Sequence, residues 1–64
     1  MNQETFNRSE FYTRAEAARE LAVSISTVSR MIAEEKVLRG FRYRNRVYVP
    51  RVDVARYLKN FRQV

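Results

Sequence analysis

The stretch Tyr12–Glu35, YTRAEAARELAVSISTVSRMIAEE, constrains this chain more than any other. It reads as two short helices joined by a tight turn. Thr13 lies three residues before Glu16, the capping-box spacing, so a first helix is expected from Arg14 to Leu21 or Ala22. Ala15, Ala18, Leu21 and Ala22 then share one side, with Glu16, Arg19 and Glu20 on the other. The alanines are small enough to let another helix approach closely. Val23-Ser24 forms the turn. Ser24, with Thr27 three residues on, caps a second helix expected over 25–35. At about 100° per residue, Ile25, Ile32 and Glu35 fall within about 60° of Val28, with Met31 beside them. Ser26, Arg30 and Ala33 lie nearly opposite, and Thr27 and Ser29 occupy the shoulders.

Beyond Lys36 the composition changes. Val37–Tyr43 and Arg46–Val49 are rich in β-branched residues, aromatics and Arg. Val47 and Val49 share one side of a strand, and Arg46 and Tyr48 the other. Arg44-Asn45 lies between the two segments, and Asn tolerates positive φ, so a tight hairpin is expected there. Gly40 is expected to permit a bulge or bend in the first strand. Pro50 ends the second strand and opens a third helix, where its missing N–H matters least. Asp53 sits in that helix's first turn, where the dipole favours a carboxylate. Val54, Tyr57, Leu58 and Phe61 form its apolar stripe, with Arg51, Arg56 and Lys59 facing away. Phe41, Tyr57 and Phe61 are expected in the core. The fold class is therefore α+β: three helices and one two-stranded β-hairpin. Residues 1–11 read as a polar arm, with Phe6 and Phe11 as exceptions. Residues 12–61 form the domain, and 62–64 are expected to fray.

Composition removes whole classes of function. The chain has 64 residues, one domain at most, and neither Cys nor His. A disulfide framework, a thiolate zinc site, the commonest general base and the commonest metal ligand are all excluded. No catalytic residue, metal or cofactor is expected. No apolar run approaches the roughly 20 residues of a membrane span, and MNQETFNRSEF lacks the apolar core of a signal peptide. A cytoplasmic protein without membrane association is expected. The net charge is +6, unevenly distributed: four Arg and six Glu in residues 1–35, nine Lys or Arg against Asp53 alone in 36–64. A basic half on a small domain is the electrostatic footprint of a polyanion binder.

Three groups of residues fit double-stranded DNA. The outward side of the second helix carries Ser24, Ser26, Thr27, Ser29 and Arg30, with Lys36 just beyond it. Major-groove readout needs short exposed side chains, so that the backbone can approach, and at least one donor for a guanine edge or a phosphate. An ordinary solvated face would use Glu, Lys and Gln, the strong helix formers. Around the hairpin, Arg42, Arg44, Asn45, Arg46 and Tyr48 make a probe for a minor groove or a phosphate strand. Edge protection alone would be served equally by Lys and Glu, whereas Arg suits phosphate geometry. At the start of the first helix, Thr13, Arg14 and the backbone amides are placed for a phosphate.

Together these residues resemble the excisionase and MerR-like family of small winged helix-turn-helix proteins, over Tyr12 to Leu58. The likeness rests on the Tyr-Thr opening, Ala-Ala-Arg-Glu-Leu, Val23-Ser24, and Ser26-Thr27-Val28 with Arg30 and Ile32. It continues through the Arg-rich hairpin and Val49-Pro50 followed by Asp53, Val54, Tyr57 and Leu58. It implies that the helix after Ser24 enters the major groove, with Ser26, Thr27 and Arg30 as groove contacts. The hairpin would be a wing on the flanking backbone or minor groove, with Arg42, Arg44 and Arg46 as its contacts. Two departures stand out: the wing tip is Arg44-Asn45 where glycine is usual, and Ile25 stands where many relatives carry a basic residue. With no long dimerisation helix after Phe61, the likeness implies an excisionase-like recombination directionality factor or a small transcriptional regulator of a phage, plasmid or integrated element. It also implies a nucleoid-associated protein that self-associates along DNA and works with a site-specific recombinase (an integrase). Two other classes remain: a protein–protein adaptor, antirepressor or inhibitor, whose basic hairpin docks an acidic partner, and a single-strand or RNA binder.

Overall fold

Thr13 and Ser24 set the first two helices of the computed structural model, which describes residues 7–61. The N-terminal arm up to Phe6 and the fraying expected of 62–64 lie outside the described residues. At Thr13, Oγ1 accepts from the Glu16 amide at 3.1 Å, while the Glu16 carboxylate accepts from the Thr13 amide at 2.9 Å. This reciprocal capping box opens α1, Arg14–Leu21. At Ser24, Oγ accepts from the Thr27 amide at 3.1 Å and opens α2, Ile25–Ala33. The third helix, α3, is Arg51–Phe61. A 3-10 turn, Arg8–Glu10, precedes α1 and is held to it by an Arg8–Glu16 ion pair of 3.2 Å.

The ends of α1 and α2 are less legible. Ala22 adopts φ 60°, and the Val23 amide closes back on the Ala18 carbonyl at 3.0 Å. Lys36 adopts φ 56°, and the Val37 amide closes on the Met31 carbonyl at 3.0 Å. The first is a Schellman closure and the second a wider turn of the same kind, and both favour glycine at the left-handed position. Here alanine and lysine occupy it. The second closure also shortens α2 from the expected 25–35 to Ile25–Ala33, because the Glu34 and Glu35 amides both turn onto the Arg30 carbonyl. Ala22→Gly should therefore stabilise the protein. Relief of an unfavourable αL residue, about 1–2 kcal/mol, exceeds the added unfolded-state entropy, about 0.4–1 kcal/mol. The expected rise is about 0.5–1 kcal/mol in a urea titration, and a fall would refute this account of the α1 stop.

Three antiparallel strands form the sheet in the order β1-β3-β2: β1 is Phe11–Thr13, β2 Phe41–Tyr43 and β3 Arg46–Pro50. The hairpin is joined by a third strand, because Tyr12 pairs with Val49 on the far side of β3. Three residues are too few to show a period-2 pattern, so this strand is invisible in the sequence. Residues 37–40 are not strand as expected: the Arg39 amide donates to the Asp53 carboxylate rather than to a neighbouring strand. Gly40 makes no bulge and has no positive φ. A Cβ there would lie 2.9 Å from Ile32 Cγ2, so the glycine lets the chain pass close against α2. The turn between β2 and β3 has φ 53° at Arg44 and 63° at Asn45, the two positive values of a type I′ hairpin.

The core is Ala17, Ala18 and Leu21 of α1, Val28 and Met31 of α2, Leu38, Val49 and Val54. Tyr12, Ile32, Val37, Tyr57 and Leu58 pack on it partly buried. On α1 Ala18 is buried as expected and Ala17 is buried beside it, while Ala15 is exposed and Ala22 stands past the helix end. Phe41, expected in the core, is 44% exposed. Its pairing with Tyr48 places it on the sheet face opposite Val49, edge-on to Phe11 at 5.9 Å. The side chain of Phe61 lies outside the described part.

Candidate nucleic-acid interface

The three groups picked out by sequence are partly joined in space. At the start of α1, Arg14 is exposed and its Nη1 donates to Ser29 Oγ of α2 at 3.1 Å. Thr13 and Arg14 also line one cleft with Ile25 at the head of α2 and Asn45, Arg46 and Val47 of the hairpin. The beginnings of both helices and the wing therefore border a common space. On α2, Ser24 and Ser26 are exposed and Thr27 half-buried, with 3.0 Å between the Ser24 and Thr27 hydroxyls. Arg30 is exposed, in a 3.7 Å ion pair with Glu35 in which both side chains are half in solvent. Such a pair is weak and yields readily to another anion.

The wing presents Arg42, Arg44, Asn45 and Arg46, all exposed. The Arg44 guanidinium lies over the Tyr43 ring at 5.5 Å, at the tip of the turn. Two of the expected contact residues stand elsewhere. Lys36 lines a separate cleft with Ile32, Leu38 and Gly40. Tyr48 is half-buried on the outer sheet face, with the Arg8 guanidinium 5.3 Å above its ring.

Electrostatics distinguish α2 from its neighbours. The first turn of α1 holds Glu16 and that of α3 holds Asp53, while the first turn of α2 holds no acidic residue. A helix N-terminus carries a partial positive charge and unpaired amides, so a carboxylate normally belongs there. Its omission at α2 leaves that end open to an external anion. The Glu16 carboxyl is held below the usual carboxylate range. The Thr13 amide hydrogen bond is the main influence, burial opposes it, and Arg8 adds to it.

Among the described residues, the most strongly tied charge is one whose partner the sequence does not reveal. Asp53 is only 2% exposed. Its carboxylate accepts from Arg39 Nε, Arg39 Nη2 and the Arg39 amide at 3.0, 3.0 and 2.9 Å, and Arg56 stands 3.5 Å away. Burial pushes its pKa up as the largest single influence. The two kinds of Arg39 hydrogen bond and the Arg39 and Arg56 charges together outweigh it, and the carboxyl is held below the ordinary 3.8. Arg39 is correspondingly raised, chiefly by its hydrogen bond to Asp53. The signal in the sequence was Asp53's position as the sole carboxylate among nine cations after residue 35. Nothing in the spacing named Arg39 as its partner.

Two helices meeting through a capped turn, with a third helix behind them and a basic β-hairpin beside them, make a small winged helix-turn-helix domain. The chain belongs to the helix-turn-helix domain family, which matches residues 11–62, and is a DNA-binding domain. No curated protein and no solved structure matches it. Among the described residues, no helix is long and apolar enough to cross a membrane, and no three His, Cys, Asp or Glu side chains gather as metal ligands.

Proposed function

We propose that this protein binds double-stranded DNA with sequence preference, as an excisionase-like recombination directionality factor or small transcriptional regulator of a phage, plasmid or integrated element. In this reading α2 lies in the major groove. Ser26 and Arg30 face base edges, and the Ser24, Thr27 and Ser29 hydroxyls serve bases or phosphates. Thr13 and Arg14 meet one phosphate strand. Arg42, Arg44, Asn45 and Arg46 form the wing on the adjoining backbone or minor groove, with Lys36 and Tyr48 as outlying contacts. The observation that carries the reading is the carboxylate-free start of α2, bordered by Arg14 and the arginine wing across one cleft. The type I′ turn places Arg44 and Asn45, both exposed, at the tip of the wing.

A single domain of this size covers a small site, roughly 600–1,000 Å² of protein surface. Useful affinity then calls for several copies along adjacent sites or for a partner bound nearby. Self-association along the DNA and a site-specific recombinase are the partners that fit. Footprinting on the DNA flanking its own coding sequence tests the reading. Protected segments at regular spacing, competed by duplex better than by single strands, are expected. Retention of a protein partner after nuclease treatment, with no footprint, would instead favour the adaptor.

A further inference from the structure

We infer that Ile25 reads a thymine 5-methyl group in the major groove, an assignment that rests on the duplex reading above. The periodicity of α2 puts Ile25 near the apolar stripe, yet it stays out of the core and is 49% exposed. A hydrophobic staple does not explain it, because the staple positions around this helix start are Val23 and Val28, and Val28 is fully buried. Ile25 is the first residue of α2, between Ser24 and Ser26, a place where a helix ordinarily carries Pro, Asp or Glu.

Its surroundings define what it meets. It lines a cleft whose other walls are Thr13, Arg14, Ala15, Asn45, Arg46 and the half-buried Val47. The polar walls suit phosphates. Ile25 itself offers no donor or acceptor, so it can favour only an apolar feature of the ligand. The first residues of a recognition helix are the ones that reach base edges, and the apolar group displayed there is the 5-methyl of thymine. A β-branched side chain with half its surface in water, flanked by hydroxyls short enough to let the backbone approach, is shaped for that contact. Burying one methyl against it is worth about a threefold to tenfold gain in affinity.

The test uses a duplex selected by the full chain from a randomised pool, with each thymine replaced in turn by deoxyuridine, which lacks only the methyl. Wild-type protein should bind about threefold to tenfold more weakly when one particular thymine is replaced. Ile25→Ala should bind the thymine and deoxyuridine versions of that position equally. A selected duplex bound alike with thymine or deoxyuridine at every position overturns the assignment and leaves duplex recognition standing. So does an unchanged thymine preference in Ile25→Ala. Failure to enrich any duplex sequence overturns both. The deoxyuridine scan of the wild-type protein decides the matter even if the variant folds poorly.

Discussion

Asp53→Ala should remove about 2–3 kcal/mol of folding stability, and Arg39→Ala should lower the urea midpoint further still. A domain this small has about 3–5 kcal/mol in total, so either change removes about half of its folding free energy or more. The two are not symmetrical. Removing Asp53 strands a guanidinium whose side chain is 60% exposed and can be hydrated. Removing the Arg39 side chain strands a carboxylate that is 2% exposed, with only a backbone amide and Arg56 left near it. The same pair sets the acid limit of the fold. The Asp53 pKa is lower folded than unfolded, so its contribution is fully present above the unfolded value, about 4, and is lost as pH falls through the folded value. The urea midpoint should be level from about pH 7 to pH 5 and fall below about pH 4. In Arg39→Ala, where burial is left to push the Asp53 pKa up, this acid loss should shrink or reverse, and in Asp53→Asn this part of the acid dependence should vanish. Equal midpoints for Asp53→Ala and Arg39→Ala would show that the buried carboxylate is not the sensitive half of the pair.

Arg30→Ala and Arg44→Ala should weaken DNA binding in different ways. Arg30 stands exposed on α2, and its 3.7 Å pair with Glu35 is loose enough to be given up for a base edge. Its loss should cost about 10- to 100-fold on a selected duplex and little on random duplex. Arg44 stands at the wing tip, where it can reach a phosphate but no unique base pattern. Its loss should weaken selected and random duplexes alike and make the salt slope shallower by about 1. Competition assays with both duplexes separate the two. A selective loss from Arg44→Ala, or a uniform one from Arg30→Ala, would reverse the roles assigned to α2 and the wing.

Much of this fold is readable from short-range chemistry. Thr13 with Glu16, and Ser24 with Thr27, mark the helix starts because a capping side chain and its amide lie three residues apart. The hairpin is readable because Arg44-Asn45 divides two β-rich runs, and its left-handed turn matches the tolerance of asparagine. The helix ends are not readable, since Ala22 and Lys36 do the work that glycine usually advertises. Residues 37–40 look like strand by composition and are not, because a carboxylate fourteen residues away takes the Arg39 amide. Phe41 and Ile25 look like core by type and are exposed, because register and helix position rather than hydrophobicity decide their side. On the interface, the residue types that suit DNA were visible in the sequence. The Arg14–Ser29 contact and the cleft shared by helix starts and wing depend on tertiary packing, which no local pattern encodes.

The most direct measurement is a titration of duplex DNA with the intact chain at several salt concentrations. Arg14, Arg42, Arg44 and Arg46, with one of the helix starts, offer roughly five phosphate contacts, so log affinity should fall against log salt with a slope near −4 to −5. Between 50 and 200 mM salt, that amounts to a loss of about 500-fold. A slope near zero, or single strands that outcompete the duplex at every salt concentration, would contradict a domain that inserts one helix and rests one wing on double-stranded DNA.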